Sequence, residues 1–303
     1  MSMPVTLRPS PTVLAVIVTY HPNRERLTAL VDRVRPQVDA VLVVDNGSGL
    51  TPGWPESLGV TALELGCNTG IAGAINRGID HMMAGSWTHL LTLDQDSLPA
   101  PDMVARLLEA EGRLLANGTP VAAVGPVHED PRTGTLAACE RLDGWKRVWI
   151  VPTQDECPVV NHVISSGMLV RHAVLTSVGP MREALFIDYV DIEWCVRAQS
   201  QGLCAVAVGA ARMTHTIGDR VVYQGRRSLL TAHSPIRNYY MARNAVEMLR
   251  HPKAPLGWKV VIARDLVIRT ILYTVLMKPH LPRVGQFVRG IWHGLIGRLG
   301  PAP

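Results

Sequence analysis

Three short apolar runs, each ending abruptly at a polar loop, constrain the fold of this 303-residue chain more than any other feature. Val13 to Val18 stops at Thr19-Tyr20-His21-Pro22, Ala40 to Val44 stops at Asp45-Asn46-Gly47-Ser48, and Leu90 to Leu93 stops at Asp94-Gln95-Asp96-Ser97. A strand with one wet face alternates apolar and polar residues. A run without polar positions must be covered on both faces, as in a parallel sheet between helical layers. Between the runs, Leu27, Leu30, Val31 and Val34 recur at helical spacing until Pro36 ends the pattern, and Ile75, Ile79, Met82 and Met83 do the same further on. Val60 to Leu65 and Val121 to Val127 read as further strands. This alternation over the first 125 residues predicts a doubly wound, Rossmann-like α/β half. No small-residue cleavage pattern follows Val13 to Val18, so that run reads as the first strand and not as a signal peptide.

Open α/β sheets bind ligands at the carboxyl ends of their strands, where the acids of this chain are placed. If the extended conformation continued past Leu93, the carboxylates of Asp94 and Asp96 would emerge on one side. Two hard oxygen ligands at a sheet edge suit Mg²⁺ or Mn²⁺, which draws its remaining ligands from phosphate and water. Taken in isolation, such a pair of acids is more often a solvated strand end than a metal site. Asp45 ends its strand in the same way, although Asp-Asn-Gly-Ser is also turn chemistry that the aspartate would cap. The glycines from Gly66 to Gly73 permit close approach of backbone to a ligand, yet no phosphate-cradling glycine motif is present. Diphosphate binding would then rely on metal and side chains.

Charge and cysteine usage narrow the class. The five cysteines are odd in number, widely spaced and free of C-x-x-C pairs, which favours reduced thiols over a disulfide framework or a zinc site. From His251 to Pro303 eight Lys or Arg face one acid, Asp265, so this segment carries +7 and the preceding 250 residues −2. A basic tail on a mildly acidic body fits an anionic surface. With two Phe in the chain and no zinc-finger or RNA-binding signature, nucleic acid is not expected as a partner. Trp258 to Met277 has the length of a membrane span, but Lys259, Arg264, Asp265 and Arg269 interrupt it. Val284, Phe287, Val288, Ile291, Trp292, Leu295, Ile296 and Leu299 follow helical spacing, with Gln286, Arg289 and His293 expected to face away and Arg298 breaking the pattern. Attachment to a membrane surface is expected from this tail, with core packing or homo-oligomer formation as the alternative.

The motifs Thr19-Tyr20-His21-Pro22, Val43-Val44-Asp45-Asn46-Gly47-Ser48, Asn68-Thr69-Gly70-Ile71-Ala72 and Asp94-Gln95-Asp96-Ser97 stand in the order and spacing of the family 2 glycosyltransferases. Ile164-Ser165-Ser166-Gly167, Phe186 to Trp194 and His215-Thr216-Ile217-Gly218-Asp219 extend the resemblance over roughly residues 12 to 245, where the chain most resembles bacterial rhamnosyltransferases that use dTDP-L-rhamnose. The resemblance implies a GT-A type fold: a mixed, doubly wound sheet in a catalytic domain over 1–250, with a nucleotide-sugar half at about 12–125 and an acceptor half at about 126–250. A basic amphipathic helical extension would follow over 251–303. It also implies inverting transfer from a dTDP-sugar to a hydroxyl of a glycan or lipid-linked glycan in polysaccharide synthesis, at the inner face of a membrane and with Mg²⁺ or Mn²⁺ as cofactor. UDP-galactofuranose and UDP-hexoses remain alternative donors.

By the same resemblance Asp96 would ligate the metal, with Asp94 on the ribose or a metal-bound water and His215 reaching the metal or diphosphate. Thr19 and Asp45 would line the base pocket, with Asn68 and Gly70 also on the donor. Val163 to Met168 reads as a strand interrupted by small residues, fitting close approach of an acceptor to Ser166 and Gly167. Among Asp188, Asp191 and Glu193, set between bulky apolar residues, Asp191 aligns with the family's catalytic base and Glu193 is its neighbour on the acceptor. Arg237-Asn238-Tyr239-Tyr240 with Arg243-Asn244 is typical of the rhamnosyl group, and its residues suggest only an amphipathic helix near the acceptor. A hydrophobic run followed by D-x-D also opens the haloacid dehalogenase-like phosphatases, but there it lies on the first strand, followed by Thr or Val; here it lies on the fourth, followed by Leu98. A non-catalytic membrane adaptor is the remaining rival.

Overall fold

The computed structural model describes residues 10–50, 53–131, 134–214, 220–224, 227–232, 234–276 and 278–303. In chain order the strands are β1 (Val13–Thr19), β2 (Ala40–Asp45), β3 (Thr61–Glu64), β4 (His89–Asp94), β5 (Leu98–Pro99), β6 (Val121–Asp130), β7 (Thr135–Leu136), β8 (Cys139–Asp143), β9 (Lys146–Ile150), β10 (Val159–Val160), β11 (Leu169–Arg171), β12 (Cys204–Thr214), β13 (Arg220–Gln224) and β14 (Arg227–Ala232). The helices are α1 (Arg24–Val34), α2 (Trp54–Ser57), α3 (Gly70–Ala84), α4 (Met103–Ala116), α5 (His172–Val178), α6 (Val190–Gln199), α7 (Pro235–Arg250), α8 (Leu256–Leu276) and α9 (His280–Leu295).

The three apolar runs become β1, β2 and β4, and every residue of β1 is buried. They pair in parallel within one sheet of order β10-β12-β6-β11-β4-β1-β2-β3. The sheet is mixed because β11 runs antiparallel between β4 and β6. Side chains of β1 alternate between two cores. Leu14, Val16 and Val18 pack with α3, α5 and α6 on one face, and Val13, Ala15 and Ile17 pack with α1 and α4 on the other. Asn23 caps α1, accepting the Arg26 N–H at 3.0 Å, and Pro36 falls in the 3₁₀ turn that ends it. The chain leaves β1 toward β2 on one side, and β4 lies on the other. The crevice at their carboxyl ends is the switch point where such sheets place ligands.

Two local expectations give way to turns. Extended structure ends at Asp94, and Gln95-Asp96 form a turn closed by the Ser97 N–H on the Asp94 carbonyl at 3.1 Å. The 163–168 segment is a loop and the strand begins at Leu169, because Gly167 takes φ +90° and its N–H bonds across to the Thr92 carbonyl at 2.7 Å.

The C-terminal helices pack onto the α/β body through α7, whose residues Asn238 to Val246 are all buried. Amphipathic surface character is therefore not what α7 has; it is a core helix. Gly290 and Gly294 let α9 lie directly on it, since a Cβ at Gly290 would come within 2.4 Å of the Tyr239 carbonyl oxygen. His293, expected to face away, is buried against α7, with Nδ1 2.8 Å from the Tyr239 hydroxyl. Phe287 faces inward, while Val288, Trp292, Leu295 and Ile296 are exposed. Periodicity gives a stripe but not which of two adjacent stripes meets the core.

Candidate active site

The carboxyl ends of β1, β2 and β4, the N-termini of α3 and α6, and one side of α8 surround a cavity of about 1050 Å³. Its lining includes Asn46, Asn68, Gly70, Asp94, Asp96, Ser165, Asp188 and Asp191. The cavity thus brings the acids at the end of β4 together with the acid nearly a hundred residues later on α6.

The joining piece is the dipeptide Ser165-Ser166. The Ser165 N–H donates to Asp191 Oδ2 at 3.2 Å, and the Ser166 hydroxyl accepts the Asp94 N–H at 3.0 Å while lying 2.5 Å from the Ser97 hydroxyl. His128 Nε2 lies 2.9 Å from the Ser166 carbonyl, and Thr92 donates its hydroxyl to the Ser165 carbonyl, which fixes the loop from below. Ser166 is fully buried and Gly167 is absent from the cavity wall, so neither is placed to touch an acceptor. Ser166 braces the turn carrying the acids. Their neighbour Ser165, part of the Ile164 to Gly167 motif but given no role from the sequence, lines the cavity.

Asp191 sits in the first turn of α6, its Oδ1 accepting the Ile192 N–H at 2.8 Å. A helix N-terminus favours a carboxylate. Its two rivals are committed elsewhere. Asp188 accepts two bonds from Arg237, one of 3.0 Å and one shorter. Glu193 is 2 % exposed, receives Arg197 Nε on both oxygens at 3.0 Å, and lies 3.3 Å from His251 Nε2. Glu193 therefore holds the body together behind the cavity and is not an acceptor contact, because an α-helix turns residues two apart to different sides.

The approach to α6 is strained. Phe186, Asp188 and Tyr189 have φ of 66°, 65° and 66°, a region that non-glycine residues rarely occupy. Asn244 holds this loop: its Nδ2 donates to the carbonyls of Leu185, Ile187 and Asp188 at 3.0, 2.8 and 2.8 Å. Arg243 adds a bond to the Leu185 carbonyl at 2.8 Å, and Arg237 grips Asp188. The Arg237 to Asn244 motif thus has a physical task, clamping the segment that presents Asp191. Gly70 faces the same loop, since a Cβ there would lie 2.4 Å from the Phe186 carbonyl oxygen.

Across the cavity from Asp191, Thr19 and Asp45 are register partners at the ends of β1 and β2. The Thr19 hydroxyl donates to Asp45 Oδ1 at 3.1 Å, while Ser48 and Gly49 N–H groups donate to Oδ2 at 2.8 and 3.1 Å. Both residues are buried beneath the cavity wall, and Asp45 is the cap of its turn. Asn46 ties this turn to the next loop, accepting the Thr69 N–H at 2.8 Å and donating to Asn68 Oδ1 at 3.1 Å. Gln95, between the two acids, accepts the Tyr20 N–H at 2.7 Å and anchors the β4 turn to the loop after β1. Asn46 and Gln95 line the cavity and, though both stand in motifs of the sequence, had no role assigned there, since each works through contacts made far along the chain.

Asp94 and Asp96 offer two hard oxygen donors on a cavity wall, with Asp96 exposed. That donor set fits a divalent cation completed by phosphate and water. Among the described residues no cluster of three or more His, Cys, Asp or Glu could hold a metal, and His215 lies outside the described residues. All five cysteines are free.

A family model described as glycosyl transferase family 2 matches residues 15–175. A dTDP-rhamnosyl transferase, RfbF of Shigella flexneri, is 33% identical over 301 residues, 93% of this chain and 97% of that protein. An N-acetylglucosaminyl-diphospho-decaprenol L-rhamnosyltransferase of Mycobacterium tuberculosis is 26% identical over 301 residues, 86% of this chain and 93% of its own. Among solved structures, GalNAc-T7 with UDP, GalNAc and Mn²⁺ superposes with a TM-score of 0.56 at 16% identity, covering 84% of this chain and 54% of that one.

Proposed function

The chain belongs to glycosyl transferase family 2, and on that footing we propose that it moves L-rhamnose from dTDP-L-rhamnose to a hydroxyl of a glycan or lipid-linked glycan, inverting the anomeric centre. The observation carrying this reading is the Ser165-Ser166 dipeptide, which holds the Asp94 turn and Asp191 across one cavity. Donor and base ends of a displacement have to be fixed relative to each other, and this loop does so through two hydrogen bonds.

In this reading the nucleotide lies against the loops carrying Asn46, Asn68 and Gly70, shaped from beneath by Thr19 and Asp45, and its diphosphate faces Asp94 and Asp96. A divalent cation held there would offset the negative charge of the departing diphosphate; GalNAc-T7, of the same fold, holds Mn²⁺. Asp191 accepts the proton of the acceptor hydroxyl as its oxygen forms the bond to the anomeric carbon and the bond to the diphosphate oxygen breaks. The donor assignment draws on the dTDP-rhamnosyl transferase relative. The protein works at the cytoplasmic face of a membrane. The exposed apolar residues of α8 and α9 beside a basic excess support this, and among the described residues no helix is long and apolar enough to cross one.

Calorimetric titration with dTDP-L-rhamnose, UDP-galactofuranose and UDP-glucose, each with Mg²⁺ or Mn²⁺, tests the donor. Binding of dTDP-L-rhamnose at least about tenfold tighter than the UDP sugars, a difference of about 1.4 kcal/mol, is expected. Preference for a UDP sugar would overturn the rhamnose assignment.

A further inference from the structure

One side of α8 is part of the cavity. Trp258, Ile262, Asp265 and Arg269 are spaced by four, three and four residues, a single helical stripe, and all four line the wall. The other side of α8 carries Val260, Val267, Ile271 and Val275, exposed to solvent at 47 to 64%. A segment that reads as an appended tail therefore supplies both a wall of the active site and an apolar outer surface beside it.

The charges on this wall are unevenly matched. Arg147, on the hairpin β8–β9, lies between Glu140 at 3.0 Å and Asp265 at 2.5 Å, and Arg237 is taken by Asp188. Arg269 is exposed, lines the cavity and has no carboxylate partner among the described residues. Trp258 and Ile262, of the same stripe, pack with Tyr189 and Ile192, the residues on either side of Val190-Asp191. Tyr189 caps the start of α6 two residues before Asp191, so Arg269 stands at the base end of the cavity and not at the Asp94–Asp96 end. Arg26 is the other cavity arginine without a carboxylate partner among the described residues, but it lies on α1 with the donor loops.

We propose that Arg269 binds a phosphate group of the acceptor, with the acceptor's reactive hydroxyl at Asp191 and an apolar chain leaving over the outer face of α8. This rests on the transferase reading above and adds to it the residue that selects, within that reading, a sugar joined through phosphate to a lipid. A guanidinium fork matches phosphate oxygens in charge and geometry. The donor's own diphosphate is assigned to the opposite end, leaving a second anion as the natural partner for this cation. The apolar residues of α8, in a segment of net charge +7, suit the chain of an anionic lipid.

The test uses the full chain with Mg²⁺ and saturating dTDP, so that the nucleotide-diphosphate site is filled before geranyl diphosphate or geraniol is titrated in. The wild type should bind the diphosphate at least about tenfold more tightly than the alcohol. Arg269→Gln should abolish that preference, Arg269→Lys should restore part of it, and Arg26→Gln should leave it intact. Vesicles of phosphatidylglycerol should bind wild type and Arg269→Gln equally, because bulk membrane charge would be met by other cations of the segment. A preference retained in Arg269→Gln, lost instead in Arg26→Gln, or lost together with vesicle binding overturns the proposal. The preceding dTDP titration fails only if the nucleotide-sugar reading itself is wrong, so the two failures are distinguishable.

Discussion

Replacing Asn244 by Ala removes the clamp from the loop that presents Asp191. Asn244 is 0% exposed, and its amide donates to three carbonyls, at 3.0, 2.8 and 2.8 Å. The amide has two N–H groups to share among the three carbonyls, so at about 0.5–1.5 kcal/mol net for each bond the loss comes to about 2 kcal/mol. Phe186, Asp188 and Tyr189 each store about 1–3 kcal/mol of strain, of which the variant loop sheds only a part, because Arg237 still grips Asp188 and Arg243 still holds the Leu185 carbonyl. Arg243 retains its bond to the Leu185 carbonyl, so the variant should fold with a melting temperature lower by about 2–4 °C. Relaxation of the loop moves the start of α6, and displacement of a reacting group by about 1 Å costs on the order of 10²-fold in rate. We therefore expect kcat to fall about 10–100-fold while the Kd for dTDP, whose proposed loops meet this segment only where Gly70 faces Phe186, stays within about twofold. Steady-state kinetics, dTDP calorimetry and a thermal melt read the three quantities. A lowered melting temperature with kcat unchanged would show that the loop does not depend on Asn244 and would refute the reasoning.

Asp96→Ala, or excess EDTA on the wild type, should remove most turnover while circular dichroism shows an intact fold; full activity in EDTA would sink the assignment of Asp94 and Asp96 to a cation. Asp191→Asn should lower turnover by about 10²–10⁴-fold with donor binding little changed, and if Asp188→Asn has that effect instead, the base is Asp188. Burial pushes the Cys195 thiol up to about 12, since the thiolate is the disfavoured form, so at pH 8 on the order of 10⁻⁴ of it is reactive. Iodoacetamide should accordingly label exposed Cys67 in the native protein and Cys195 only after unfolding, as read by peptide mass mapping; native labelling of Cys195 would contradict its packing in the core.

What could be read from the sequence follows from how local each signal is. The runs of β1, β2 and β4 are buried on both faces and are apolar up to their ends but for His89 and Thr92 of β4, so composition marks them. The acids at their ends follow, because a strand's carboxyl end is where the chain first becomes polar. β11 could not be found that way: three residues, Leu169–Arg171, carry no period, and its antiparallel placement depends on neighbours nearly 80 and 45 residues earlier. Ser165 and Asn244 act through backbone groups brought in by the fold, and a serine in a loop or an asparagine in a helix shows nothing of its partner. Glu193 misled because it shares a motif with Asp191 while the helix turns it toward Arg197. The basic tail was legible as a charge excess, whereas the inward stripe of Trp258, Ile262, Asp265 and Arg269 emerges only once α8 is laid against the β8–β9 hairpin and α7.

The central claim is that one carboxylate, Asp191, works opposite a departing diphosphate across a single cavity. Such an arrangement permits one in-line displacement, with no covalent glycosyl-enzyme between donor and product. NMR of the glycoside formed by the wild-type protein from its nucleotide-sugar donor, read at the anomeric coupling constants, tests this most directly. The account predicts an anomeric configuration opposite to the donor's. A product that keeps the donor's configuration would contradict it, since a second displacement would then need a nucleophile where Asp191 is assigned as the base.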